Sequence, residues 1–271
     1  MILHTAGFPQ APLGPPAWAT LDGRLAAFAR WRLNWEPGTS YEYHATSAHW
    51  VLADIVRRVT GLDHRDALEQ RVTTPLGLPR VLGFEPGAAQ DNIAELSCVG
   101  DPATPEEMKA VFGVAELGVT EVTAETLVRF NEPAARAVGV PGGGAIMRAS
   151  DLALFYQALL HNTGEVWDGA VLTDATRHVR NTLPDRMTRI PANRALGVIQ
   201  AGDDGHSNVR GFGRAVSAGA FGHNGAGGQL AWVDPASGLS LGYCTNGMDM
   251  HMVREARRGT AISSLAAVCV S

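Results

Sequence analysis

Phe221-Gly222-His223-Asn224-Gly225-Ala226-Gly227-Gly228, continuing through Trp232-Val233-Asp234-Pro235 to Ser237-Gly238, is the stretch from which the fold is read. It lies among four apolar runs, Gly197 to Ala201, Ala218 to Gly222, Gln229 to Val233 and Leu239 to Tyr243, each of strand length. Asp234-Pro235-Ala236-Ser237-Gly238 joins the last two and is built from turn formers, so these runs read as an antiparallel hairpin. The strands are apolar almost without alternation, which predicts a sheet covered on both faces. Met252 to Val268 reads as a terminal helix placed to cover one face.

Outward from this sheet the chain changes character. Thr20 to Trp31 predicts a helix with Leu21, Leu25 and Phe28 on one stripe. Thr46 or Ser47 can cap a second helix that runs to Thr60 and ends on Gly61, with Leu52, Ile55, Val56 and Val59 as its apolar stripe. A third helix is expected over Arg65 to Val72. Leu82 to Val140 reads as short helices and long loops, and Pro12 to Pro16 as a loop. Ser150 is positioned to cap a helix that opens with Asp151 and carries Leu152, Phe155, Tyr156 and Leu159 on its buried side.

Composition narrows the function classes. The 271 residues are 45% hydrophobic and 18% charged with a net charge of −5, an ordinary globular balance. It offers no basic field for nucleic acid and no polybasic patch for a membrane. No apolar run reaches the roughly 18 residues needed to span a bilayer, and no secretory leader is visible after Met1. As it stands the chain reads as cytoplasmic, with export depending on whatever precedes Met1. Cys98, Cys244 and Cys269 have no CxxC spacing, so neither a disulfide framework nor a cysteine zinc site is expected, and Cys244 reads as a small buried hydrophobe. His4, His44, His49, His64, His161, His178, His206 and His251 include no HExxH pair and read as surface or capping residues. No metal and no cofactor is expected. Trp50 and Trp232 read as core, and Glu106-Glu107 as a solvated helix start.

Four segments taken together resemble the superfamily of serine β-lactamases, penicillin-binding proteins and family VIII esterases. Leu3-His4-Thr5-Ala6-Gly7-Phe8 is similar to its "LLTHTSG" segment. Pro37-Gly38-Thr39-Ser40-Tyr41-Glu42-Tyr43, continuing to Val59-Thr60-Gly61, is similar to "PGTxFxYSN…VTG". Gly143 to Phe155 is similar to "GGLxSTAxDLARF", and Phe221 to Pro235 resembles "GHTGxxG…WVDP". The four occur in family order over nearly the whole chain. The resemblance implies an α+β fold, an α/β sandwich whose antiparallel sheet is flanked by helices, with a helical lobe. It would be one domain over residues 1–271, mainly helical to about 194, with sheet strands and the C-terminal helix from about 195 to 271.

The same resemblance implies acyl transfer through a serine ester. A serine hydroxyl needs a nearby base to become nucleophilic, and the family places a lysine one helical turn on, as Ser-x-x-Lys. This sequence contains no Ser-x-x-Lys: its one lysine, Lys109, is preceded at that spacing by Glu106. In the family the motif precedes the segment matched here by Leu3 to Phe8. The chain is therefore expected to lack the N-terminal strands and catalytic helix, as a fragment, or to be a member that has lost catalysis. Loss of that segment would leave apolar faces uncovered and favour self-association.

By resemblance, Tyr43 is the proton-shuttling tyrosine, while Ala45 stands where the family has an asparagine. Bringing a tyrosine from a pKa of about 10 to near neutrality takes about 4 kcal/mol of help from positive charge. His223 matches the third motif, where its ordinary pKa near 6.5 would make its role depend on pH. Asn224 and Gly225 would line the substrate, and Ala226 or Gly227 would donate a backbone N–H to the oxyanion. The substrate would be a small ester or amide. The histidine in the third motif resembles esterase-like members more than true β-lactamases.

Overall fold

Burial of Leu230–Val233 on every side fixes the sheet, because a strand with no solvent-facing residue must be covered above and below. A computed structural model describes residues 1–9, 13–85, 87, 92–115, 123–186 and 188–269. Its elements in chain order are α1 (Leu21–Arg30), α2 (Ser47–Thr60), α3 (His64–Leu68), β1 (Ser97–Val99), α4 (Pro105–Phe112), α5 (Ala124–Val128), α6 (Pro133–Val138), α7 (Ala149–His161), α8 (Gly169–Arg177), β2 (Ile199–Gln200), β3 (Phe221–Asn224), β4 (Leu230–Val233), β5 (Ser240–Tyr243), β6 (Gly247–Asp249) and α9 (Met252–Ala267). They form two compact units, Met1–Leu96 with Val119–Ile146, and Ser97–Gly118 with Met147–Ser271. The arrangement is α+β, with an antiparallel sheet and flanking helices, as the sequence predicts.

In the second unit the sheet order is β2-β3-β4-β5, antiparallel throughout. Residues Leu152, Phe155 and Leu159 of α7 pack with buried Tyr156 against Phe221, Ala231 and Val233 on one face. The helix comes so close to β5 that a Cβ on Gly242 would stand 2.2 Å from the Ala149 carbonyl. The other face packs Trp232 with Ile199, Phe212, Ala266 and Ala267. There the Trp232 indole N–H donates to Ser263 Oγ at 3.1 Å, and the Ser263 hydroxyl donates to the Gly211 carbonyl at 2.8 Å. The buried indole is therefore satisfied. The Asp234–Gly238 hairpin closes through the Asp234 N–H to the Leu239 carbonyl at 2.8 Å. β1 and β6 add a separate parallel pair. Glu107 closes a capping box with Thr104 at the start of α4 and pairs with His251 Nε2 at 3.2 Å, while His251 Nδ1 caps α9.

In the first unit Leu13, Ala27, Trp50, Ala53 and Val140 form a core, joined by Trp18, Phe28, Trp31 and Phe130. The α2 stripe expected from the sequence is not the buried face. Ser47, Ala48, Trp50 and Ala53 face inward, and Ile55 and Val59 are 41% and 78% exposed. The large indole of Trp50 decides the helix rotation over four smaller aliphatic side chains. Thr46 does stand at the cap position, but its hydroxyl makes no cap bond, and Gly61 ends the helix at φ 74°. The expected third helix begins as α3 and then widens over Glu69–Thr73, where the Thr74 N–H reaches back five residues to the Glu69 carbonyl.

Other expectations are also corrected. α7 begins at Ala149, so Ser150 lies inside its first turn, and Arg148 holds the cap position without a side-chain bond. Cys244 is exposed, because it lies just beyond β5 where the sheet no longer covers it. β1 and β6 were absent from the sequence reading; three-residue strands carry too little pattern to register. Of the loop regions named above, residues 12, 86, 88–91 and 116–122 lie outside the described residues.

Asp249 is buried and accepts from Arg254 Nε at 2.8 Å and Nη2 at 2.7 Å, which holds its pKa down at about 2 despite the opposing cost of burial. A carboxylate held below its unfolded value of 3.8 stabilises the fold fully above about pH 4, and that stabilisation is lost as pH falls toward 2. Asp249→Asn is expected to lower stability by about 1–2 kcal/mol at pH 7, allowing for screening at the exposed Arg254, and by little at pH 2. Urea unfolding at both pH values measures this; an equal loss at both would contradict it.

Candidate active site

The Tyr43 neighbourhood is built by two strips of irregular backbone in the first unit, residues 3–8 and 34–44. The Asn34 N–H donates to the Gly7 carbonyl at 2.7 Å and the Gly38 N–H to the Thr5 carbonyl at 2.8 Å. Gly7, at φ 73°, permits the approach: a Cβ there would stand 2.4 Å from the Trp35 carbonyl oxygen. His4, buried and itself at φ 55°, accepts the His44 backbone N–H on Nδ1 at 3.2 Å. That bond leaves the proton of neutral His4 on Nε2.

Tyr43 is half-buried, with its ring centroid 4.7 Å from that of His4. His44 and His49 lie 5.8 and 5.9 Å from the His4 ring, and Tyr41 stands edge-on to it at 6.5 Å. Burial holds the His44 pKa below the ordinary histidine value, with the Glu42 and Phe8 carbonyls opposing in part. The buried Ser47 hydroxyl reaches no hydrogen-bond partner among the described residues. His64 is also buried, with Nε2 2.8 Å from the Gly139 carbonyl and its pKa lowered by burial. His4, His44 and His64 are therefore interior residues, not the surface or capping ones expected; aromatic neighbours and backbone carbonyls take the place of solvent. Among the described residues no three His, Cys, Asp or Glu side chains converge as a metal set.

Behind Tyr43 lies the turn Val140 to Gly144, closed by the Gly144 N–H to the Val140 carbonyl at 2.8 Å. A Cβ on Gly142 would sit 2.4 Å from the Ala45 carbonyl oxygen and 3.1 Å from Thr46 Cα. Glycine is thus required by close approach to the Ala45–Thr46 backbone, which follows Tyr43 in the chain.

The second unit carries the other sequence-predicted residues. His223 and Asn224 lie within β3, which begins and ends later than expected, and His223 stands opposite Ala231 in the register. The β3–β4 connection is held by the Gly225 N–H to the Gln229 carbonyl at 2.8 Å, and Gln229 is clamped to Thr245 by two bonds of 2.8 Å. Gly227 takes φ 76° with Met248 packed where its Cβ would be, 2.7 Å from Cγ. Asn224, Gly225 and Ala226 are exposed, and Gly227 is half-buried. So β3 brings His223, Asn224, Gly225, Ala226 and Gly227 together at one sheet end. Tyr43 belongs to the other unit and is described with it.

Two residues here were missed. Arg194, buried, places Nη1 3.1 Å from His223 Nε2, and the Tyr156 hydroxyl faces the His223 backbone N–H. Neither lies in a recognisable motif around His223; Tyr156 was legible only as a core position.

The second unit is thus an antiparallel sheet between α7 and α9, with a glycine-rich turn after His223. Residues 2–265 match the Beta-lactamase family, and the chain belongs to it. It is 29% identical over 240 residues to the esterase/beta-lactamase LipL of Mycobacterium tuberculosis, covering 83% of this chain and 52% of that protein. The chain therefore spans about half the length of this curated relative. Among solved structures it is similar to EstA of Arthrobacter nitroguajacolicus Rue61a, with TM-score 0.70, 21% identity, 100% of this chain and 72% of that one. A penicillin-binding-protein homolog from Caulobacter crescentus gives TM-score 0.68 at 24% identity over 97% of this chain and 70% of its own. A family VIII carboxylesterase gives 0.68 at 21% identity, with 97% and 69% covered. At these identities the structures establish the fold. Among the described residues no helix is long and apolar enough to cross a membrane.

Gly142→Ala is expected to destabilise the chain by about 1–3 kcal/mol, because backbone must move to admit the methyl group. Gly169→Ala, where a Cβ meets nothing within 4 Å, is the matched control and should be near neutral. Urea midpoints of the two variants decide it; equal midpoints would contradict the close packing behind Tyr43.

Proposed function

We propose that this chain supplies the proton-relay and substrate-lining parts of an acyl-transfer site that acts on a small ester or amide through an acyl-serine. These 271 residues hold no Ser-x-x-Lys to supply the attacking serine and its lysine. Family membership supports the reading, together with the name of the mycobacterial relative and the fold shared with a family VIII carboxylesterase. The observation that carries it is Tyr43, held at an imidazole-lined turn by the His4 to His44 bond.

In this reading Tyr43 relays the proton between the serine, the leaving group and solvent. His223 acts near the leaving group or a substrate carboxylate, Asn224 and Gly225 line the substrate, and the Ala226 or Gly227 N–H steadies the oxyanion. Lys109, the one lysine, is not in a Ser-x-x-Lys, the spacing that places a lysine one helical turn after the attacking serine. The second reading is a non-catalytic member that binds an acyl ligand, favoured by Ala45 in the asparagine position, where no amide can contact substrate. Self-association through exposed apolar residues such as Ile55 and Val59 belongs to the first reading.

The 271-residue chain is expected to hydrolyse a p-nitrophenyl ester no faster than background and to elute from size exclusion larger than a monomer. Saturable turnover that survives Tyr43→Phe would refute the site, and a sharply melting monomer would count against the exposed surface. The reading frame upstream of Met1 separates the two readings. An in-frame Ser-x-x-Lys is expected; a stop codon or unrelated sequence would favour the binding module.

A further inference from the structure

The two ring nitrogens of His223 meet partners of opposite kind. Nδ1 lies on the backbone carbonyl of Asn224, which can only accept, so Nδ1 carries a proton. Nε2 lies 3.1 Å from Arg194 Nη1, and a guanidinium can only donate, so Nε2 presents its lone pair. The arginine is fixed in turn. It is 5% exposed, its carbonyl accepts the Arg180 and Asn181 N–H groups at 2.8 and 3.1 Å, and its own N–H donates to the Asn181 carbonyl at 3.0 Å.

We propose that Arg194 is a positioning residue for His223: it locks the neutral Nδ1–H tautomer and keeps the ring uncharged through the pH range where histidine ordinarily titrates. The fixed positive charge beside this strand is then that of Arg194, and it does not vary with pH. An imidazolium would set an N–H against an N–H and one cation against another.

The groups on the elements packed around β3 agree. From α7, the buried Tyr156 faces the His223 backbone N–H, and burial pushes its pKa up, so it remains a neutral phenol. From α8, Arg177 lies over the Phe221 ring, 5.4 Å from its centroid, and adds a second cation. β4 presents Ala231 opposite His223, and β2 presents Gln200 opposite Phe221; neither is charged. Sequence alone suggests a pH-dependent histidine here. The bond to Arg194 removes that dependence.

The proposal deepens the reading of β3 as a wall of the acyl-transfer site, but its test needs no turnover. Histidine ring nitrogens of the 15N-labelled 271-residue chain are followed by NMR from pH 8 to pH 5, with His223 assigned by its absence in His223→Gln. The expected result is an Nδ1–H tautomer whose titration midpoint lies at least about one pH unit below that of His223 in Arg194→Gln. An Nε2–H tautomer, an ordinary midpoint near 6.5 in the unaltered chain, or the same midpoint in both would overturn it. Should Arg194→Gln not fold, the tautomer and midpoint of the unaltered chain decide alone. Failure of the ester-hydrolase reading would leave this result standing, and failure here would leave that reading's Tyr43 test untouched.

Discussion

The complete burial of β4 is the constraint from which the second unit follows. A four-residue strand with no exposed position needs α7 on one side and α9 on the other, and it needs neighbours of matching length. Gly222 shows how tight the result is: a Cβ there would lie 2.2 Å from the Ala231 carbonyl. The register of β3 against β4 is thus set by packing, and His223 is set with it, one residue beyond that glycine. The end of the strand that carries His223 inherits its precision from the apolar core beneath it.

The first unit solves a different problem. Its site lies on irregular backbone, where no ladder of hydrogen bonds supplies order. Gly7 and Gly142 let chain segments approach within contact distance, and His4 contributes a side-chain acceptor to the His44 amide. Residues that sequence reading treats as dispensable histidines become the frame of Tyr43. The buried Ser47 hydroxyl, without a hydrogen-bond partner among the described residues, is a cost that a purely structural core would avoid.

How much could be read from the residues alone follows from this contrast. The sheet, its hairpin and α7 and α9 were legible because long apolar runs and turn formers state their own geometry. The rotation of α2 was not, because its aliphatic stripe and Trp50 point to different faces and only the three-dimensional core chooses between them. Tyr43, His223, Asn224 and Gly225 are candidates through motifs that carry order and spacing. Arg194 was not, since nothing local marks an arginine 29 positions before the histidine it holds. Partners brought together by folding leave no pattern in a single sequence.

The account rests on a Beta-lactamase-family fold in a sequence that holds no Ser-x-x-Lys. Incubation of the chain with a fluorophosphonate probe, followed by intact-mass measurement, tests this most directly. The account predicts an unmodified mass, because no serine here stands in a Ser-x-x-Lys. A stoichiometric adduct on one serine, lost when that serine is changed to alanine, would show that the nucleophile was within the chain all along.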